Sequence, residues 1–154
     1  MSNHANNPSH HHVHDPDCRF CNINPERTKI VEEFEHVKVI LANPRLMPGH
    51  LLVIPKRHVE RMSELNDAEL LELIHVVNTY CDKVLKFAKG YMVKNNFMPF
   101  LEESRLKVNH MHIHILPRNF SDDLYTKALF NESTLYEDLS DEEYSIILKK
   151  LDTD

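Results

Sequence analysis

A chain of 154 residues, 42% hydrophobic and 27% charged, has the length and composition of one globular domain with a real core. Its formal charge of −6 argues against broad binding to polymeric nucleic acid, which needs a basic footprint, and two glycines exclude a glycine-rich phosphate cradle. No apolar run approaches the ~20 residues of a membrane span, and three cysteines do not build a disulfide framework.

Residues 1–16 are polar, with histidines at 10, 11, 12 and 14. They bury too little apolar surface to offset ordering entropy, so they are expected to form a disordered tail. The tail has no apolar core of a secretory signal. Together with the unpaired cysteine count, that points to a reducing, cytoplasmic setting. Residues 17–154 are expected to form a single domain.

"DCRFC" sets Cys18 and Cys21 in Cys-x-x-Cys spacing. Alone, this fits half a metal site, a redox pair or two buried thiols. "KIVEEFEHVKVILAN" predicts two short strands with a turn near Glu35–His36, since Val37, Val39 and Leu41 recur with period two. "PRLMPG" predicts a loop, and "HLLVIP" a buried strand ended by Pro55.

The stretch from Asn66 to Gly90 predicts the main helix. Asn66 and Glu69 make a capping box, and Leu70, Leu73, Ile74, Val77, Cys81, Val84 and Leu85 make the apolar stripe. Gly90 is expected to supply a left-handed stop. "YMVKNNF" predicts a strand and "MPFLEESRLK" a loop. Ser140 and Glu143 suggest a second capping box before "YSIILKKL". The sum is an α+β fold: mostly antiparallel strands, one long helix and a C-terminal helix.

"VNHMHIHILPR" carries His110, His112 and His114 at alternate positions. On a strand they share one face, and Met111, Ile113 and Ile115 share the other, apolar one. Three close imidazoles repel one another when charged, so at least some stay neutral at pH 7. A neutral imidazole nitrogen is a nucleophile, a base or a metal ligand. A single metal held by all three is disfavoured, because i, i+2 and i+4 on a strand spread over ~13 Å.

"HMHIHIL" resembles the histidine-triad motif of the histidine triad (HIT) family, and "PGHLLVIPKRHVERMSELNDAE" is similar to that family's middle segment. "DCRFC" resembles its zinc-bearing branch. The resemblance implies an antiparallel sheet of about five strands, commonly in a homodimer. It also implies a nucleotide hydrolase or nucleotidyl transferase acting on a purine nucleotide or dinucleotide. In such an enzyme His112 attacks the α-phosphorus and forms a nucleotidyl-histidine. His114 and His50 would assist catalysis, and Asn95, or its neighbour Asn96, would bond near the phosphate. Asn43 would meet the ribose. Structural zinc would be held by Cys18, Cys21, His58 and His110.

One stretch departs from the pattern. Arg105, Leu106 and Lys107 stand where Gly-Gln-Ser or Gly-Gln-Thr is expected. Leu106 has no side-chain donor, whereas Lys107 and Arg105 can meet phosphate as charges. Arg118 is a further candidate for a distal phosphate. The departure leaves a second function open: a nucleotide-binding regulatory protein of the same fold with little turnover.

Overall fold

The structure, a computed structural model, describes residues 14–129 and 132–151. Most of the expected tail, including His10, His11 and His12, lies outside the described residues. Near its end, the Asp15 carbonyl accepts from Cys18 N at 3.2 Å. Among the described residues the chain falls into two compact units, divided between Phe120 and Ser121.

The first unit is a five-stranded antiparallel sheet, β1 (Ile30–Glu33), β2 (Val37–Leu41), β3 (Leu51–Pro55), β4 (Gly90–Asn95) and β5 (Ile113–Arg118), in the order β1-β2-β3-β5-β4. One long helix, α1 (Asp67–Val84), joins β3 to β4. Strand β3 is buried along its whole length, as the continuous apolar run of "LLVIP" requires of a central strand. Strand β4 is an edge strand without a buried residue.

Pairing of Leu51 with Ile115 and of Val53 with Ile113 sets one face of the sheet against α1. That face, with Met111 and the helix residues Leu73, Val77 and Cys81, makes the main core. The opposite face of β2 and β3 carries Ile40, Leu52 and Ile54, against which Phe20 and Ile23 pack. The site lies on this second face.

The capping box at α1 is present in full, with Glu69 N donating to Asn66 Oδ1 and Asn66 N donating to Glu69 Oε2, both at 2.9 Å. The stripe is rotated from the expected one. Val76 and Tyr80 are buried, whereas Ile74 and Leu85 are more than 40% exposed. Tyr80 is accommodated because its hydroxyl donates to Glu32 at 2.6 Å.

Gly90 is not the helix stop. The chain leaves α1 through a tight turn, with Phe87 N and Ala88 N both donating to Val84 O, and Gly90 opens β4 opposite Arg118. The left-handed glycine is Gly49, at φ 82° just before His50. A Cβ there would stand 3.0 Å from the Phe87 ring and 3.1 Å from Pro117.

The triad strand also differs. β5 begins at Ile113, after His110 and His112, because Met111 N donates to Val59 O at 2.6 Å and the chain there follows the segment after β3. It runs on through Pro117. Pairing with β3 ends at Leu51–Ile115, so the missing N–H of Pro117 leaves no ladder bond to β3 unmade.

In the second unit, Ser140 Oγ accepts from Glu143 N at 3.2 Å at the start of α2 (Asp141–Leu151), whose described residues are all exposed. No helix among the described residues is long and apolar enough to cross a membrane.

Candidate functional site

Four histidines line up where the chain enters β3 and β5, His50 just before β3 and His110, His112 and His114 through the start of β5, and the hydrogen bonds around each ring fix its tautomer. The backbone N–H of Leu46 donates to His50 Nδ1 at 3.1 Å, so the ring proton of neutral His50 sits on Nε2. That nitrogen lies 2.9 Å from His114 Nδ1 and donates to it. His114 is left with its own proton on Nε2. The residue pairing explains the contact: His114 stands opposite Leu52, two residues from His50 on the same strand face.

His112 Nδ1 lies 2.6 Å from the His110 carbonyl, which can only accept. The proton is therefore on Nδ1, and Nε2 keeps its lone pair. His110 Nε2 donates in the same way to Pro55 O at 2.8 Å, turning the Nδ1 lone pair toward sulfur.

Burial keeps these rings uncharged. It pushes His50 and His110 down to about 4 and His114 to about 3, and it lowers His112 as well. Charge adds to burial at His50 and His114, where Lys94 and His112 repel a further proton.

Beside the triad, Cys18, Cys21, His58 and His110 bring their ligand atoms within 4.8 Å of one another. Cys18 Sγ is 3.3 Å from His110 Nδ1; Cys21 Sγ is 3.4 Å from His58 Nδ1 and 3.6 Å from His110 Nδ1. A tetrahedral ion with metal–sulfur bonds of about 2.3 Å and metal–nitrogen bonds of about 2.0–2.1 Å requires sulfur–nitrogen edges of roughly 3.5 Å. The donor set therefore fits a four-coordinate metal. The Pro55 carbonyl on His110 supplies the outer hydrogen bond that orients such a ligand. Burial pushes the Cys18 thiol up to about 11, ahead of the lowering by the Cys21 and Phe20 amides.

In front of the imidazoles opens a cleft of about 1140 Å³. Six cationic side chains line it, Arg19, Arg27, Arg45, Lys94, Arg105 and Lys107, against the carboxylates of Glu60 and Glu102. The local sign is thus opposite to the chain's net charge. An apolar floor of Phe20, Ile23, Ile40 and Leu52 lies in the same cleft.

The structure brings His50, His112 and His114 together on the cleft, and gathers the four expected metal ligands beside it. Lys107 and Asn43 also line the cleft. Lys107 is tied by two bonds, to Leu101 O at 2.5 Å and Asn109 Oδ1 at 2.6 Å, and Asn43 Nδ2 donates to Arg27 O at 2.6 Å.

Two expected residues stand elsewhere. Asn95 pairs opposite Ile113 and spends its amide on the His112 carbonyl at 2.8 Å; of the two neighbours, Asn96 is the one that lines the cleft. Arg118 sits at the far end of β5 opposite Gly90 and is not part of the cleft wall, since four residues of strand carry it ~13 Å beyond His114.

Lys94 was missed. It pairs with His114 across β4 and β5, so it shares the cleft face. Alternation along "YMVKN" would have shown it, had the register between the two strands been known. Arg19, Arg27 and Arg45 carry no local signal that separates them from solvated loop charges.

The HIT-domain model matches residues 24–121. The chain belongs to the HIT family. Among HIT relatives, it is 42% identical over 105 residues to an uncharacterised HIT-like protein of Methanocaldococcus jannaschii, covering 66% of this chain and 78% of that one. It is 33% identical to the asymmetrical bis(5'-nucleosyl)-tetraphosphatase of Schizosaccharomyces pombe, over 71% of this chain and 52% of that one. A HIT family crystal structure from Bacillus subtilis superposes with a TM-score of 0.68 at 26% identity, covering 88% of this chain and 94% of the other. The five-stranded sheet with its main and C-terminal helices is thus the HIT fold.

Proposed function

We propose that this HIT protein is a nucleotide hydrolase or nucleotidyl transferase that cleaves at a nucleoside α-phosphate, with His112 as nucleophile. One observation carries the reading: His112 lines a basic cleft with Nδ1–H held by the His110 carbonyl, which leaves Nε2 as a lone-pair nitrogen. In the proposed reaction Nε2 attacks the α-phosphorus, a phosphorus–nitrogen bond forms, and the bond to the leaving oxygen breaks with its electron pair. Water, or another acceptor, then displaces the histidine. His114 Nε2–H donates a hydrogen bond to a phosphate or leaving-group oxygen, with its tautomer fixed through His50 and the Leu46 amide.

The six cations suit a chain of several phosphates, and the apolar floor beside them suits a purine. A polyphosphate leaves as a stable anion and needs no proton, which agrees with a neutral His114. These features, with the tetraphosphatase relative at 33% identity, favour the dinucleoside polyphosphate class. We further assign structural zinc to Cys18, Cys21, His58 and His110, on the fit of four neutral-or-anionic N and S donors to a closed tetrahedral site. Zinc bound there would tie the N-terminal segment to the strand carrying His112. A homodimer, supported by the edge strand β4 with Tyr91 and Val93 exposed, and a cytoplasmic setting complete the reading.

A second reading rests on the loop before the triad. Leu106 is 84% exposed and gives no side-chain donor, and the Lys107 ammonium already serves two partners. That arrangement favours a nucleotide-binding protein with little turnover.

One experiment separates the two. The protein is incubated with diadenosine tetraphosphate labelled at the α-phosphorus, quenched in denaturant without acid, and digested. Label on His112, absent from His112→Ala, supports the enzyme. Binding without adduct or product supports the second reading, and neither binding nor adduct refutes both.

A further inference from the structure

We propose that Arg19 is a positioning residue, through which the cysteine segment of the metal site sets the phosphate-facing loop of the cleft. The inference rests on the nucleotidyl reading for its kinetic consequence, and on geometry alone for the tie itself.

Arg19 stands between the two cysteines and is exposed, so nothing in the core requires it. Its guanidinium Nη2 donates to the Ser104 carbonyl, 85 residues away. Ser104 lies in the segment that carries Arg105 and Lys107, the two cations found in place of the usual polar donors. The other hydrogen bonds described in this segment are local. Ser104 and Lys107 bridge each other, Lys107 Nζ holds Leu101 O and Asn109 Oδ1, and Asn109 N donates to Glu103 Oε1 at 2.7 Å. Such bonds give the loop a shape but do not place it on the rest of the molecule. The bond from Arg19 does.

The same cysteine segment reaches the reacting end as well. Phe20 packs its edge on the His112 ring, centroids 5.1 Å apart, and the His110 carbonyl holds His112 Nδ1. A metal held by two ligands from the segment, His110 of the triad and His58 after β3 would thus pin a short loop whose side chains touch both His112 and the loop facing the phosphates. A planar guanidinium with several donors is suited to this, because it can hold a carbonyl and still present charge to the cleft it lines.

The test uses the full-length, zinc-loaded protein and the variants Arg19→Ala and Arg19→Lys, with amide hydrogen exchange read at Lys107 and Asn109. In Arg19→Ala these amides are expected to exchange about tenfold faster, the size expected for losing one charge-assisted hydrogen bond. Amides of α1, zinc content and melting temperature should stay as in the parent, and Lys should restore part of the protection. Chelation of zinc from the parent should speed the same two amides. In kinetics with diadenosine tetraphosphate, Arg19→Ala should raise KM about tenfold with kcat within a factor of two to three. Unchanged exchange at Lys107 and Asn109 in Arg19→Ala would overturn the tie. A parent protein with no activity would sink the nucleotidyl reading while leaving the exchange result to stand by itself.

Discussion

Replacing His50 by alanine removes the middle of a three-member chain from the Leu46 amide through His50 to His114. Two hydrogen bonds are lost, at 3.1 and 2.9 Å. A net hydrogen bond between neutral partners is worth about 1 kcal/mol, and only the second of the two touches His114, so its orientation loses about 1 kcal/mol of support. At 1.36 kcal/mol per tenfold in rate, kcat should fall about fivefold. KM should move less, since the cations of the cleft are untouched. The assay is steady-state hydrolysis of diadenosine tetraphosphate at pH 7, with His50→Gln alongside, whose amide can donate toward His114 and should recover part of the loss. Wild-type kcat within twofold in His50→Ala would refute the relay as the device that fixes His114.

Four further outcomes are expected. Chelation, or Cys21→Ser, should take bound zinc from one per chain to near none and lower the melting temperature by more than ten degrees, read by calorimetry and metal analysis. Gly49→Ala forces φ 82° on a residue with a Cβ and presses it to 3.0 Å from Phe87; urea titration should show a loss of roughly 1–3 kcal/mol. Arg57→Ala breaks the 2.8 Å pair with the buried Glu69, whose carboxyl Arg57 holds below the usual range; stability should drop by about 2–4 kcal/mol, and a surface-like change below 1 kcal/mol would contradict the burial argument. His50 and His114 titrate near 4 and 3 when folded, below the ordinary 6.5. Their contribution is therefore complete above pH 6.5 and drains away as pH falls toward 3, so urea midpoints should fall between pH 7 and pH 4, and less steeply in His50→Ala.

The fold was legible where pattern and chemistry agree. Val37 and Val39 announce β2, "LLVIP" announces β3, and the Asn66–Glu69 box announces α1. Helix rotation was not legible, because "LIHVVNTYC" offers two apolar stripes one position apart, and burial of Tyr80 depends on Glu32 from a different strand. The end of α1 was assigned to Gly90, but the chain had to turn earlier to bring Gly90 opposite Arg118. In the site, local motifs found the histidines and cysteines. Lys94 depends on pairing between β4 and β5, and Arg19 on an approach to Ser104 from 85 residues away, neither of which a single chain segment encodes. Between the neighbours Asn95 and Asn96 the sequence offers no choice, because a one-residue step on a strand reverses the face: Asn95 bonds the His112 carbonyl and Asn96 lines the cleft.

Strand β3 works as a ruler. Its five residues, spanning ~17 Å, separate His50 at one end from the Pro55 carbonyl at the other. The first end steadies the His114 ring beside the proposed nucleophile and the second steadies His110 of the proposed metal site. Adding or deleting one residue between them would uncouple both stations in a single event. Drift among descendants of this chain should therefore leave the length of 50–55 unchanged.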